Sequence, residues 1–457
     1  MDVDFTSKLV EVRPRQADGI PCKPFYVPYD ILVVGIGAQS ITHGVTGIEN
    51  VHFLKNVKDA VQLKKQIIDN YERASIPGTT PEERRKLLSF VVCGGGPTGV
   101  EFAAELLDMI NEDLVYFFPK ILREEVSVNI IQSRDHILNT FDAGISKYAE
   151  RKFKRENLNI ITNARVNRVD PGMVVYSEKP PGEEPVIKEI PFGLCLWSTG
   201  IAMTPFAQLI ASHLPEAQKN NRALEVDSRL RLKGIPDGSV YSLGDCSTIE
   251  NPRLVDHIMD IFIKADKDKS GALSWDEFRD AVKSMVRKFP ITETHVNKLQ
   301  SLFERYDEDH SGTIDMDELR KMLSDIDKKF TSLPATAQVA HQQGKFLGIQ
   351  LSKLASMPPD QAARCAAATD DDDGALEPFR YKHLGSFAYI GNTAVGEIGP
   401  GIRIMGGLWS LYLWRSIYLS EQGGQTMAIS WTSGDTLIAQ WRHPNRAKQQ
   451  KLLDSPE

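Results

Sequence analysis

The chain has 457 residues, 25% of them charged and 41% hydrophobic, with a net charge of −7. That profile gives core enough for two or three domains, and its mildly acidic balance offers no footing for nucleic acid, so no nucleic-acid partner is expected. No uncharged apolar run reaches spanning length and no secretory signal pattern opens the chain, so no membrane-crossing helix is expected.

The five cysteines (Cys22, Cys93, Cys195, Cys246, Cys365) are scattered and odd in number, without CxxC spacing. They read as reduced, mostly buried thiols. In chain order, the first apolar run is Ile31-Leu-Val-Val-Gly35-Ile-Gly37-Ala38. Gln39–His43 is a poor helix start and Gly44 and Gly47 follow at once. The run therefore reads as a buried strand and turn beneath a second cofactor, not as a dinucleotide fingerprint. Residues 71–88 form a polar Pro/Gly connection from a helix to the next strand.

That strand runs straight into a glycine motif, Ser89-Phe-Val-Val-Cys-Gly94-Gly-Gly96-Pro-Thr-Gly99-Val-Glu101. Strand, GxGxxG and helix in succession predict a dinucleotide site. Gly94 makes the tight turn, Gly96 lets a pyrophosphate approach the backbone, and Gly99 lets helix and strand pack closely. The anion then lies at a helix N-terminus, which favours negative charge. The next strand is expected at Val126–Gln132. Its end carries Gln132 and Arg134 where an acid often holds the ribose 2′-OH. Glutamine does not repel a 2′-phosphate and Arg134 could pair with it, so NADPH is expected beside NADH; a merely solvated Arg134 is the alternative. Leu194–Gly200 reads as a strand ending in a turn of the same domain, and Val240–Asp245 as a strand ending in Gly244-Asp245.

Two twelve-residue loops follow. In the first, oxygen ligands fall at Asp266, Asp268, Ser270, Ala272 (by its carbonyl), Ser274 and Glu277. In the second they fall at Asp307, Asp309, Ser311, Thr313 (carbonyl), Asp315 and Glu318. This is the EF-hand pattern, with Gly271 and Gly312 at the sharp turn and a long carboxylate closing each shell around Ca2+. Leu273 and Ile314 are apolar, as two loops joined by a short strand require. Apolar residues at helical spacing flank both loops. The second loop has one more carboxylate ligand than the first, so tighter binding is expected there.

Beyond the loops stands Ala337-Gln338-Val-Ala-His-Gln342-Gln343-Gly344. Residues 356–378, with the run Asp370–Asp373, read as a flexible acidic loop, and Phe387–Gly391 as a strand of a flavin domain. Residues 402–419 are apolar and aromatic with two arginines. They suit an in-plane membrane-surface anchor, with a dimer interface or a C-terminal core helix as alternatives. Arg442, Arg446, Lys448 and Lys451 make the tail basic, which suits anionic lipid.

Together, Gly94–Glu105, the Trp197–Gly200 turn, Gly244-Asp245 and Ala337–Gly344 resemble type II (rotenone-insensitive) NAD(P)H:ubiquinone oxidoreductases of mitochondria. The EF-hand insertion ahead of Ala337 resembles their external, calcium-responsive branch in fungi and plants. The resemblance implies an α/β flavoprotein with two Rossmann-like dinucleotide-binding domains, the FAD domain incomplete, and an inserted all-α EF-hand pair. It implies FAD-domain residues at 1–75 and 204–252, an NAD(P)H domain at 76–203, the EF-hand pair at 253–330, a FAD and quinone-side segment at 331–400, and a membrane-surface region at 401–457. FAD would take hydride from NADH or NADPH and pass electrons to ubiquinone without proton pumping, under calcium control. Gly94, Gly96, Gly99, Gln132, Arg134 and Gly200 would hold the nucleotide, Gly244 and Asp245 the FAD, with Glu101 near nicotinamide and flavin. Gln338 and Gln342 would line the quinone side. The implied place is the intermembrane-space face of the mitochondrial inner membrane, peripherally bound, with a homodimer as a further expectation.

The family's opening βαβ unit, which binds the FAD adenylate, has no counterpart here. That departure implies weak FAD binding and little activity in this chain alone, and leaves a catalytically inactive calcium-binding fragment as the competing reading. A flavin disulfide reductase is disfavoured, since no CxxxxC pair stands near the flavin strand.

Overall fold

A computed structural model describes residues 2–13, 23–118, 124–156, 158–179, 182–249, 254–288, 299–307, 309–327, 333–368, 377–398 and 402–421. Cys22, the whole Asp370–Asp373 run and the basic tail residues Arg442, Arg446, Lys448 and Lys451 lie outside them. The chain divides into two compact units, Met1–Gln39 with Ile201–Lys382, and Ser40–Gly200 with His383–Glu457.

The second unit is built on a five-stranded parallel sheet. Its order is His52–Phe53, Leu194–Trp197, Ser89–Cys93, Ser127–Ile131, Leu158–Ile161. Ser89–Cys93 is central and buried along its whole length, which is why it reads as a continuous apolar run rather than an alternating one. Helices Val57–Ala74, Pro97–Asp108 and Ala143–Arg155 bring Leu63, Ile67, Val100, Ala103, Ile145 and Phe153 into the same core as Phe90 and Leu196. An antiparallel sheet of Ala164–Asp170, Met173–Glu178 and Val186–Pro191 is added.

Several expected boundaries shift. Residues 40–75 belong with the nucleotide sheet rather than a flavin domain, because His52–Phe53 pairs with Leu194–Trp197. The strand Ser386–Tyr389 likewise joins this unit, where Ala388 and Ile390 enter its core. Residues 402–419 are not one in-plane segment. Ile402–Met405 is the edge strand of a three-stranded sheet, and a helix starts only at Leu408. Gly406 and Gly407 break the run; a side chain at Gly406 would meet Tyr148 Oη at 2.0 Å. The helix is apolar on both sides. Trp414 packs on Tyr389 with ring centroids 5.7 Å apart, whereas Trp409 is 87% exposed.

In the first unit, Leu32–Val34 pairs in parallel with Val240–Ser242. Only Val34 of this strand is fully buried, and Val33 is 42% exposed, so the expectation of a buried strand holds for one residue in three. Helix Ala337–Ala355 follows the EF-hand pair. Within 356–378 the structure forms a helix, Pro359–Ala367, where a loop was expected. Pro359 opens it with a fixed φ, and Arg231 donates to the carbonyls of Ala366 (2.6 Å) and Ala368 (2.8 Å) at its end. The EF-hand helices Ile258–Ala265, Trp275–Lys288, Leu299–Tyr306 and Met316–Asp327 share a separate core around Phe262, Phe278, Phe303 and Met322. Cys93, Cys195 and Cys246 are buried and unpaired, and Cys365 is half-buried. No helix among the described residues is long and apolar enough to cross a membrane.

Candidate functional site

The glycine turn closes over the end of the central strand. Gly94 has φ +120°, and a Cβ there would sit 3.0 Å from Ser198 Oγ. Ser198 ties its own turn to this one by donating to the carbonyls of Cys93 (3.2 Å) and Gly94 (3.1 Å). At Gly99 a Cβ would meet Gly94 O at 2.1 Å and Ser198 Oγ at 2.5 Å, so helix and strand approach more closely than any side chain permits. At Gly96, the helix N-cap, a Cβ would have no atom within 4 Å of it. Open space at the end of a twelve-residue helix, lined by backbone N–H groups, fits an anionic pyrophosphate.

Gln132 is buried beneath this turn. Its Oε1 accepts from Gly95 N (3.4 Å) and Ser133 N (3.1 Å), and its Nε2 donates to His136 O (3.2 Å). The side chain thus braces the turn as well as ending the strand. Arg134 is exposed and has no ion pair among the described residues. Gly200 packs against Ile41 and His43, and Trp197 fixes its turn by donating to Ile41 O (3.1 Å) and Thr199 O (2.8 Å).

Glu101 lies one turn into the same helix, half-buried, and accepts from Tyr389 N at 3.1 Å. Burial pushes its carboxyl up to about 7; the Tyr389 amide opposes that rise and the nearby Glu105 adds to it. Tyr389 donates to Asp108 at 2.6 Å, and burial, then that carboxylate, raises its phenol. A carboxyl that titrates near neutrality can hold or release a proton at working pH. Sequence reading missed Ser198 and Tyr389. Ser198 directly follows a visible strand, but Tyr389 lies 288 residues from Glu101 and no local pattern joins them.

The remaining predicted residues lie in the other unit. Gly244 and Asp245 form the turn after Val240–Ser242, against the first turns of helix Ala337–Ala355. A helix N-terminus beside the turn favours an anionic group there. Gln338 accepts from Tyr381 Oη (2.6 Å). Gln342 donates to Lys382 O (2.8 Å) and accepts from Lys382 N (2.9 Å), clasping that residue's backbone as a strand would.

In each EF-hand loop three carboxylates converge: Asp266, Asp268 and Glu277, and Asp307, Asp309 and Glu318, each set within 4.8 Å. The loops are bridged by Leu273 and Ile314, with N–H to O=C distances of 2.7 and 2.8 Å. Ser270 and Ser311 each donate to the carbonyl of the position-7 residue, Ala272 and Thr313. Ser274 donates to Glu277 (2.7 Å), and Asp315 caps the following helix through Asp317 N and Glu318 N. Hard oxygen donors converging in this number fit Ca2+. Asp307 adds a sharper sign: its Oδ1 is buried without a hydrogen-bond partner, an acceptor left for a cation.

Three family models match the chain: pyridine nucleotide-disulphide oxidoreductase over residues 1–261, EF-hand domain pair over 255–322, and NDH2 C-terminal domain over 383–436. The chain is 37% identical over 96% of its length to an external alternative NAD(P)H-ubiquinone oxidoreductase B1, mitochondrial, of Solanum tuberosum, covering 75% of that protein. It is 29% identical to external NADH-ubiquinone oxidoreductase 2, mitochondrial, of Saccharomyces cerevisiae, over 94% of this chain and 66% of that one. Among solved structures, NDH2 from Plasmodium falciparum in complex with NADH aligns with a TM-score of 0.73 at 27% identity, over 92% of this chain and 78% of that one.

Proposed function

The chain belongs to the external alternative NAD(P)H-ubiquinone oxidoreductases, and from that membership we propose that it oxidises NADH or NADPH through FAD and reduces ubiquinone, without proton pumping and under calcium control. The observation that carries the proposal is the glycine turn: open at Gly96 where a pyrophosphate needs backbone, closed at Gly99 where helix and strand must touch. FAD, when bound, supplies the two-electron relay between nicotinamide and quinone. The chain's own residues bind and orient. Gly94, Gly96 and Gly99 shape the anion site, Gln132 braces it, and Arg134 is available to a 2′-phosphate. Glu101 holds a proton that it can exchange near neutral pH. Gly244 and Asp245 hold the flavin side, while Gln338 and Gln342 fix the segment that flanks the quinone side.

Calcium acts through the two carboxylate loops, changing the helix pair that each loop joins. The exposed Leu408, Trp409 and Tyr412 rest on the membrane surface of the mitochondrial inner membrane, on its intermembrane-space side. A purified chain should show a flavin absorption band and NAD(P)H-dependent reduction of a short-chain quinone that changes when calcium is chelated. Calcium binding with neither flavin band nor turnover would favour the calcium-binding-fragment reading instead. Turnover that is equal with and without chelator would remove the calcium control alone.

A further inference from the structure

Helix Ala337–Ala355 carries two adjacent glutamines that face different ways. Gln342 is half-buried and clasps Lys382. Gln343 is 2% exposed, and its Oε1 accepts from Gly244 N at 2.7 Å. Gly244 stands at φ +74°, a backbone shape that side chains other than glycine's rarely adopt. The turn around it is pinned from three sides: Leu243 N donates to Val34 O (3.1 Å), Gly244 N to Gln343, and Ser247 Oγ to Gly244 O (3.3 Å). Two of these ties come from the strands and turn themselves. The third comes from a side chain almost 100 residues away in sequence.

We infer that Gln343 is a positioning residue for the flavin, holding the Gly244-Asp245 turn in the shape that receives FAD; the inference rests on the flavin reading of this unit. The chemistry favours an amide at this place. A buried amide N–H needs an acceptor. A carboxylate would satisfy it too, but would set a buried negative charge next to Asp245 and the doubly anionic pyrophosphate. An apolar side chain would leave Gly244 N unpaired. Only a neutral acceptor of this length fixes the turn without repelling what the turn holds.

The test is FAD titration of the whole chain, read by quenching of flavin fluorescence, at pH 5.5 and pH 8. The wild type should bind equally at both. Gln343→Leu should bind at least about tenfold more weakly at both, in line with the loss of a part-buried hydrogen bond that fixes the turn. Gln343→Glu should approach wild type at pH 5.5, where burial at this 2% exposed place raises the carboxyl above its ordinary range and keeps it protonated while it still accepts from Gly244, and fall at least about tenfold below it at pH 8, where the charge appears. That pH-dependent rescue is not expected of a residue that only fills space, and it decides the matter even if the leucine variant fails to fold. Wild-type affinity in both variants at both pH values would overturn the inference while leaving the flavin reading intact. A wild-type chain that takes up no FAD would overturn both.

Discussion

Substituting Gly99 by alanine tests the nucleotide site most directly. The added Cβ would lie 2.1 Å from Gly94 O, 2.5 Å from Ser198 Oγ and 3.1 Å from Val92 Cγ1. The first contact is to backbone, so no side-chain rotation relieves it, and the helix Pro97–Asp108 must lift by roughly an ångström off the strand. Overpacking of this kind costs about 1–3 kcal/mol. For a unit of this size that lowers Tm by about 3–9 °C. The lifted helix end also carries the N–H groups proposed to hold the pyrophosphate, so NADH affinity should fall by about tenfold for each 1.4 kcal/mol of binding free energy lost. Gly96→Ala is the matched control. It meets no atom within 4 Å and its backbone is ordinary for alanine, so Tm should hold within about 1 °C while the methyl occupies the anion's approach and weakens NADH binding. Calorimetric titration and thermal unfolding of both variants give the two readouts. If Gly99→Ala kept wild-type Tm, the close-packing argument would fail; if Gly96→Ala bound NADH as wild type does, the pyrophosphate is not at this turn.

Four further outcomes follow from the geometry. Because burial raises Glu101 from 4.5 to about 7, the native state favours the neutral carboxyl and loses stability as pH rises through that window; Glu101→Gln should remove the slope, so that variant-minus-wild-type stability grows from pH 4 to pH 8 by at most about 3 kcal/mol, and a flat difference would refute it. Asp307→Asn should weaken calcium binding at the second loop, expected to be the tighter, by about tenfold or more in calorimetric titration, with Asp266→Asn acting on the first loop, expected to be the weaker; the reverse order would show that charge count does not set affinity here. Gln132→Glu sets a carboxylate at the strand end two residues before Arg134, where it would repel a 2′-phosphate, so the NADPH-to-NADH ratio of kcat/KM should drop by about tenfold; an unchanged ratio would move the ribose elsewhere. Replacing Leu408 and Trp409 by serine removes exposed apolar surface, and sedimentation with anionic vesicles should fall while the soluble-quinone rate holds; equal vesicle binding would free this helix from the membrane.

Much of this was legible in the residues. The strand before Gly94 and both calcium loops are local patterns, set by backbone geometry and ligand spacing that leave few alternatives. What stayed hidden was long-range. Nothing in residues 40–75 marks His52–Phe53 as an edge of the nucleotide sheet, because two residues carry no periodicity; the pairing with Leu196 and Trp197 decides it. The helix Pro359–Ala367 was hidden by the acidic run after it, which suggested a loop throughout. Tyr389 and Gln343 escaped for the same reason: each acts on a backbone group far along the chain, and a hydrogen bond across 99 or 288 residues leaves no trace in local composition.

The short ladder between Leu273 and Ile314 has a consequence for how a signal is read. With two backbone bonds shared, ordering either loop also orders half of its neighbour, so the second ion meets a site whose entropy is already partly spent. Occupancy should then climb over a narrower span of free-ion concentration than two isolated loops would give. Such a pair reports a threshold being crossed, where a single loop would follow a gradual ramp.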